Sequence, residues 1–226
     1  MVEHVRRRAL LCRRFSEVVV ATCDEEIARI VRQHGGNAVM TLPSHPGATD
    51  RVAEVAQHLE CTHLINVQGD QILVLPSDLE RMVAAMESDP EAPVFIAVSR
   101  IESKAELSDR SVVKCAVSVS GRILLCARDV SSLPIGEGFE PYRRILGVLG
   151  YRRDFLERFR SFSRTPLEVA EAVDQSRILE HDVPLRTVEF SKGYPEINEP
   201  REVETVGELL QADRLQQQVL QEVLAG

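Results

Sequence analysis

An α/β fold with a mostly parallel sheet is predicted by three features of this sequence. Short β-branched runs alternate three times in succession with amphipathic segments. Each alternation is punctuated by cap or turn residues. No repeat, low-complexity linker or second composition zone divides the 226 residues. Parallel neighbours need a crossover connection, and helices supply it, so strands alternating with helices favour a sheet covered on both faces. A chain of this length suits one main core.

The first segment carries Arg6, Arg7, Arg8, Arg13 and Arg14 interleaved with Leu10, Leu11 and Phe15, which fits an amphipathic helix better than a basic arm. Val18 to Thr22 is the first strand candidate. Asp24 offers an N-cap to a helix that Gly35-Gly36 stops. Ala38 to Leu42 leads through Pro43, Pro46 and Gly47 to Thr49, where a helix bearing Val52, Val55, Ala56 and Leu59 begins. His63 to Val67 reads as a buried strand, and Ser77-Asp78-Leu79-Glu80 has the spacing of a capping box.

Beyond residue 92 the rhythm changes. Val94 to Val98 is followed by Val112 to Val119, a Ser120-Gly121 turn and Ile123 to Ala127, the pattern of an antiparallel hairpin. Thr165-Pro166-Leu167-Glu168 combines a cap, a proline at the first helical position and a reciprocal carboxylate, opening a helix through about Leu179. Leu185 to Phe190 gives a last strand. A long terminal helix follows Pro200, with Val203, Val206, Leu209, Leu210, Leu215 and Val219 as its apolar positions. The second half reads as an insertion around 100–140 and closing elements, within one domain spanning 1–226.

A net charge of −8 argues against broad attraction to nucleic acid or an anionic membrane, so any phosphate site must be local. No apolar run is long enough to span a bilayer, and the first residues lack the uninterrupted apolar segment of a signal peptide. Cys12, Cys23, Cys61, Cys115 and Cys126 are odd in number and scattered, so they read as buried thiols in a reducing compartment, the cytoplasm.

The segment richest in chemistry is Asn66-Val67-Gln68-Gly69-Asp70, a strand ending in a glycine and a carboxylate. In open α/β sheets ligands bind beyond the carboxyl ends of strands, and a carboxylate there can hold Mg²⁺ against phosphate oxygens. The plainer reading of Asp70 is a turn or helix-cap residue. Likewise Thr49 serves as a cap, Arg51 as a surface ion-pair partner and Glu168 as half of a capping box.

Residues 66–70 resemble the metal-binding signature of the CMP-Kdo synthetases and their cytidylyltransferase relatives. The stretch His45-Pro46-Gly47-Ala48-Thr49-Asp50-Arg51-Val52-Ala53-Glu54 is similar to that family's His-x-Ser-Gly-Thr-x-Arg-x-Ala-Glu pattern. Further matches in order are Val112-Val113-Lys114, Gly147 to Arg152, and Pro166-Leu167-Glu168 with Asp174-Gln175-Ser176-Arg177. The resemblance implies a Rossmann-like nucleotidyltransferase three-layer sandwich with a β-hairpin dimerisation insertion, and hence a homodimer. It implies transfer of CMP from CTP to a 2-keto sugar acid with Mg²⁺ as cofactor, for lipopolysaccharide or surface-glycan precursors. By the same resemblance Asp70 is catalytic and a metal ligand with Asn198. His45, Thr49, Arg51, Gln68 and Gly69 address the nucleotide, while Arg144, Tyr151, Glu168, Glu171 and Gln175 address the sugar acid.

Four departures qualify it. The family opens with a strand and a basic, glycine-containing phosphate loop, and Met1 to Val5 align with the helix beyond that loop. A strand missing there would lie centrally in the sheet, leaving apolar faces and backbone edges unpaired. Asn198 stands where the family has an Asp, so metal affinity is expected to fall unless Glu196 or Glu199 compensates the lost charge. Gln71 replaces a Glu, and Ile145 and Leu149 replace His and Tyr, which points to a variant sugar acid. The competing expectations are a pairing subunit without catalysis and a nucleotidyltransferase acting on sugar phosphates.

Overall fold

Asp24 behaves as its position predicts: its carboxylate accepts from Glu26 N at 2.8 Å and Ile27 N at 3.0 Å, starting α2 (Glu25–Gln33) after β1 (Val19–Thr22). Gly35 then adopts a φ of 72°, the left-handed conformation that turns the chain into β2 (Asn37–Met40). The structure is a computed structural model and describes residues 1–197, 199–200 and 202–225. Asn198 lies outside the described residues.

The opening helix, α1 (Val2–Leu10), is amphipathic, but its buried face carries Arg6 and Arg8 with Val5 and Ala9 while Leu10 is exposed. Arg8 is fully buried and donates to Val74 O at 3.1 Å and His4 Nε2 at 2.8 Å. Next in order come α3 (Ala48–Val55), β3 (His63–Val67), α4 (Pro76–Ser88) and β4 (Val94–Arg100). The expected box at Ser77 does not form. Pro76 takes the first helical position of α4, and Asp78 accepts instead from Ser191 N at 3.0 Å and Ser191 Oγ at 2.9 Å.

The predicted hairpin is β5 (Lys114–Val117) and β6 (Ile123–Ala127), turned by Gly121 at φ 75°. Its turn docks on β8 (Leu185–Glu189), where Thr187 N donates to Gly121 O at 2.9 Å. The longest strand, β7 (Tyr142–Arg152), was not read from the sequence. One edge of β7 pairs with β5 and, further along, with β3, and the other edge pairs with β4. Every pairing with β7 is antiparallel, whereas β4 and β8 are parallel. Hence β3, β4, β5 and β8 share a direction, and the sheet is mostly parallel by strand direction although β6 and β7 run against it. Strands β1 and β2 pair in parallel as a separate two-stranded sheet.

After α5 (Arg153–Phe159), half of the expected reciprocal cap forms: Glu168 accepts from Thr165 N at 3.2 Å, while Thr165 Oγ1 has no partner among the described residues and Glu168 N donates to Glu180 at 3.3 Å. The helix it opens stops early: α6 (Pro166–Glu171) ends at Ala172 with φ 53°, and α7 (Asp174–Glu180) begins anew. The terminal helix is likewise two, α8 (Glu202–Ala212) and α9 (Arg214–Ala225), because Asp213 caps the second by accepting from Leu215 N at 2.9 Å.

One apolar layer packs α3, α5 and α7 on the sheet around Ile96, Leu149, Leu156 and Ile178, and the other packs α1 and α4 around Leu79, Met82, Phe95 and Val148. Ile145 and Leu149 belong to the first layer, so their apolar character serves packing here. All five cysteines are free. Cys12, Cys115 and Cys126 are buried as expected, but Cys23 is exposed and Cys61 half-buried. Among the described residues no helix is long and apolar enough to cross a membrane.

Candidate active site

The carboxyl end of β3 is built by backbone pairing. Gln68 N donates to Gly147 O at 2.9 Å, and the chain then turns through Gly69 and Asp70, with Ile72 N closing on Asp70 O at 2.8 Å. Gly147 permits this. A Cβ there would meet Gln68 Oε1 and Gln71 Nε2, each at 2.8 Å, so both amides lie over bare backbone.

From the far end of the chain, Ile197 N donates to Asp70 O at 3.3 Å, which brings Glu196 alongside. Gln71 Nε2 donates to Glu196 Oε1 at 2.6 Å. Burial pushes the Asp70 carboxyl above its ordinary value, and the Glu196 charge pushes it the same way. Asp70 Oδ1 is buried with no hydrogen-bond partner among the described residues. Two carboxylates with an unsatisfied buried oxygen form a group that a cation would relieve. No cluster of three or more His, Cys, Asp or Glu side chains able to hold a metal occurs among the described residues. A divalent ion here would therefore complete its shell with water and substrate oxygens, as Mg²⁺ ordinarily does.

Arg51 faces the same cleft from α3, and its guanidinium touches Thr41 Oγ1 at the end of β2. The first turn of α3 is clamped in place. Asp174 accepts from Thr49 N at 3.1 Å and from Thr49 Oγ1 at 2.7 Å, and Tyr151 OH, with no solvent exposure, bonds Thr49 Oγ1 at 2.9 Å. Burial pushes the Asp174 carboxyl up, and the bonds from Thr49 partly offset this. Beside it Arg177, 2% exposed, binds both oxygens of Asp50 at 2.9 and 3.0 Å and both oxygens of Glu168 at 2.9 and 2.6 Å. Burial opposes the Arg177 charge, but these four bonds outweigh it and hold the group above its ordinary value. Gly47 lets the clamp close, since a Cβ there would lie 3.2 Å from both Asp174 Oδ2 and Asp50 Oδ2.

The residues singled out in the sequence thus separate into two sets. Arg51, Gln68, Gly69 and Asp70 line one cleft. His45 pairs with Glu54, which also accepts from Leu42 N at 3.0 Å, and so fixes the loop before α3. Thr49, Tyr151 and Glu168 are occupied inside the protein and bear on the site through α3. Glu171 receives the Arg128 N–H at 2.9 Å, Gln175 is buried, and Arg144 stands on β7 opposite Ser99; none of the three lines the cleft. Lys114 is fully buried, its ammonium donating to Asp109 O and Val112 O at 2.7 Å each, so it braces the insertion. Asp50, Asp174 and Arg177, which order the site, were quoted in the motifs but not assigned roles. Pairing across more than 120 residues leaves no local signal.

A family model described as cytidylyltransferase matches residues 1–186. The 3-deoxy-manno-octulosonate cytidylyltransferase of Myxococcus xanthus is 38% identical over 94% of this chain and 86% of its own length. The enzyme of the same name from Geobacter metallireducens is 35% identical, over 93% and 87%. Among solved structures, a CMP:2-keto-3-deoxy-manno-octonic acid synthetase complexed with CTP superposes with a TM-score of 0.85 at 32% identity, over 93% of this chain and 87% of that one. A 4-diphosphocytidyl-2C-methyl-D-erythritol synthase from Anaerococcus prevotii, 11% identical with a TM-score of 0.62, shares the fold alone. With the carboxylate at the end of β3, the clamped α3 and these likenesses together, this chain belongs to the cytidylyltransferase family.

Proposed function

We propose that this protein transfers CMP from CTP to 3-deoxy-manno-octulosonate or a close 2-keto sugar acid, releasing pyrophosphate. The observation that carries the reading is the Asp70 carboxylate, placed beyond the carboxyl end of β3 with one oxygen free, Glu196 beside it and Arg51 across the cleft. The sugar hydroxyl oxygen forms a bond to the α-phosphorus, the bond to the pyrophosphate oxygen breaks, and the hydroxyl proton leaves to solvent. Phosphoryl-type transfer depends on alignment and charge neutralisation, so no protein nucleophile is required.

Asp70 and Glu196 would hold Mg²⁺, which supplies positive charge to the phosphate oxygens. Arg51 supplies a fixed positive charge from the facing helix. Arg144 precedes Val148, the partner of Val67, by four residues on β7, about 13 Å further in the direction in which β3 exits. That backbone position supports assigning the Arg144 guanidinium to the sugar carboxylate. We also assign a cytoplasmic homodimer: the hairpin leaves Val119 and Leu124 exposed for a second copy, and all five cysteines are free thiols.

The test is pyrophosphate release from CTP, Mg²⁺ and a panel of 2-keto sugar acids. Release is expected with CTP and lost in Asp70→Ala, whose circular dichroism matches that of the parent. Silence across the panel would sink the proposal, as would UTP or GTP with a sugar phosphate turning over in its place.

A further inference from the structure

Asp70 and Glu196 come from opposite ends of the chain, and like charges so close push each other apart. Their direct links are the Gln71 to Glu196 bond and the Ile197 N–H to Asp70 O bond, which is long at 3.3 Å. A second connection runs behind both, through the start of α9. The segment leading to Glu196 is first fixed to the core. Ser191 donates twice to the buried Asp78, and Gly193 passes so near β4 that a Cβ there would fall 2.3 Å from Ser99 Oγ. Its side chains then turn outward to one acceptor: Lys192 Nζ at 2.6 Å and Tyr194 OH at 2.9 Å both donate to Asp213 Oδ2. The other oxygen, Asp213 Oδ1, accepts from Leu215 N at 2.9 Å and Gln216 N at 3.3 Å and so caps α9. One carboxylate thereby ties the Glu196 segment to the first turn of that helix.

The same helical turn grips the Asp70 side. Gln216 is fully buried, and its Nε2 donates to Leu73 O at 2.8 Å. Leu73 belongs to the turn that Asp70 opens, in which Ile72 N bonds Asp70 O and Val74 N bonds Gln71 O. The Tyr194 hydroxyl is also close enough to the Gln216 side chain to interact with it, so this amide stands between the two segments. Little slack remains there. The cavity lined by Gln71, Leu73, Tyr194 and Pro195 measures about 20 Å³, room for about one water. A leucine at 216 would serve packing alone, whereas a buried amide fixes where the turn lies, because its hydrogen bond has a direction as well as a length.

We propose that Asp213 and Gln216 are positioning residues, which make the first turn of α9 a brace holding the Glu196 segment against the Asp70 turn and so setting the gap that a divalent cation spans. The proposal rests on the assignment of Asp70 and Glu196 to the metal. Neither positioning residue touches the cation or the substrates. Their contribution is to keep two mutually repelling carboxylates at the spacing the ion requires before it arrives, as outer partners do for metal ligands generally.

Asp213→Ala would also uncap α9, so the brace is better released from its other ends. Lys192→Met/Tyr194→Phe frees the Glu196 segment with Asp213 and its cap in place, and Gln216→Leu frees the Asp70 turn. In the metal-free full chain, amide exchange followed by NMR is expected to be about tenfold faster at Ile197 in both variants, with the β4 and β7 amides as in the parent. By calorimetry the Mn²⁺ dissociation constant is expected to rise about tenfold in both, site occupancy being the binding that Asp70→Ala abolishes. A merely structural role gives a different pattern, a lower thermal midpoint with Ile197 exchange and Mn²⁺ affinity unchanged, and that result overturns the proposal. Faster Ile197 exchange with Mn²⁺ affinity intact overturns it as well. A parent chain that takes up no Mn²⁺ sinks the assigned reaction instead. Ile197 exchange then decides the brace alone: faster in both variants supports it, and parent-like exchange overturns it.

Discussion

Asp70 and Glu196 face each other partly buried, each a cost to the other while both are ionised. Removing one charge should relieve the fold and abolish the cation site together. Asp70→Asn is therefore expected to hold or raise the thermal midpoint without metal while losing Mn²⁺ binding by calorimetry; a lower midpoint with metal binding intact would contradict the assignment. The pH dependence has a defined sign. Because the Asp70 carboxyl is raised by burial first and Glu196 second, its proton is lost at a higher pH than from an ordinary carboxylate. Metal affinity should fall as pH is lowered through that raised value, and Glu196→Gln should move the acid limb downward. Asp70 was legible because it ends a strand pattern. Its partner was legible only as one of two alternatives, Glu196 or Glu199, since Glu196 approaches through Gln71 and the Ile197 amide, from the other end of the chain.

Among the elements, α3 is the one whose placement decides the cleft, and Arg177 is what ties it to α6 and α7. The guanidinium also lies 4.6 Å from the Phe159 ring centroid, so its planar fork is used on its edges and its face. Arg177→Lys is expected to cost about 3 kcal/mol in chemical denaturation, since one ammonium cannot serve both Asp50 and Glu168 and leaves a buried carboxylate short of partners. A cost below about 1 kcal/mol would show the clamp to be dispensable. Local signals read well where the partners are sequence neighbours, as at Asp24. They read poorly where a distant group intervenes: Ser191 takes the carboxylate of Asp78, and Asp213 breaks the terminal helix while binding Lys192 and Tyr194. Strand β7 was hidden by its own residues. Its arginines and two glycines look unlike a central strand, and the glycines are needed because Gln68 and Gln71 lie against Gly147 and Met86 Sδ would fall 2.6 Å from a Cβ on Gly150.

For the whole molecule, the two sheets are unequal. Strands β1 and β2 rest on a small cluster of Ala28, Val31 and Ala38, whereas the six-stranded sheet carries both main layers. A two-stranded sheet is marginal by itself, so native-state exchange should open residues 19–40 at a lower free energy than β4 and β7. Uniform opening of both would show the molecule to be one cooperative unit. The order of assembly follows from β7, which pairs with β4 some 50 residues earlier and with β3 some 80 residues earlier, while β4 waits for β8 about 90 residues later. Contacts of such sequence separation are slow to close. On the ribosome, β3 and β4 therefore stay unjoined until Arg152 has emerged, and refolding from denaturant will be limited by the docking of that one late strand rather than by the helices, which form early.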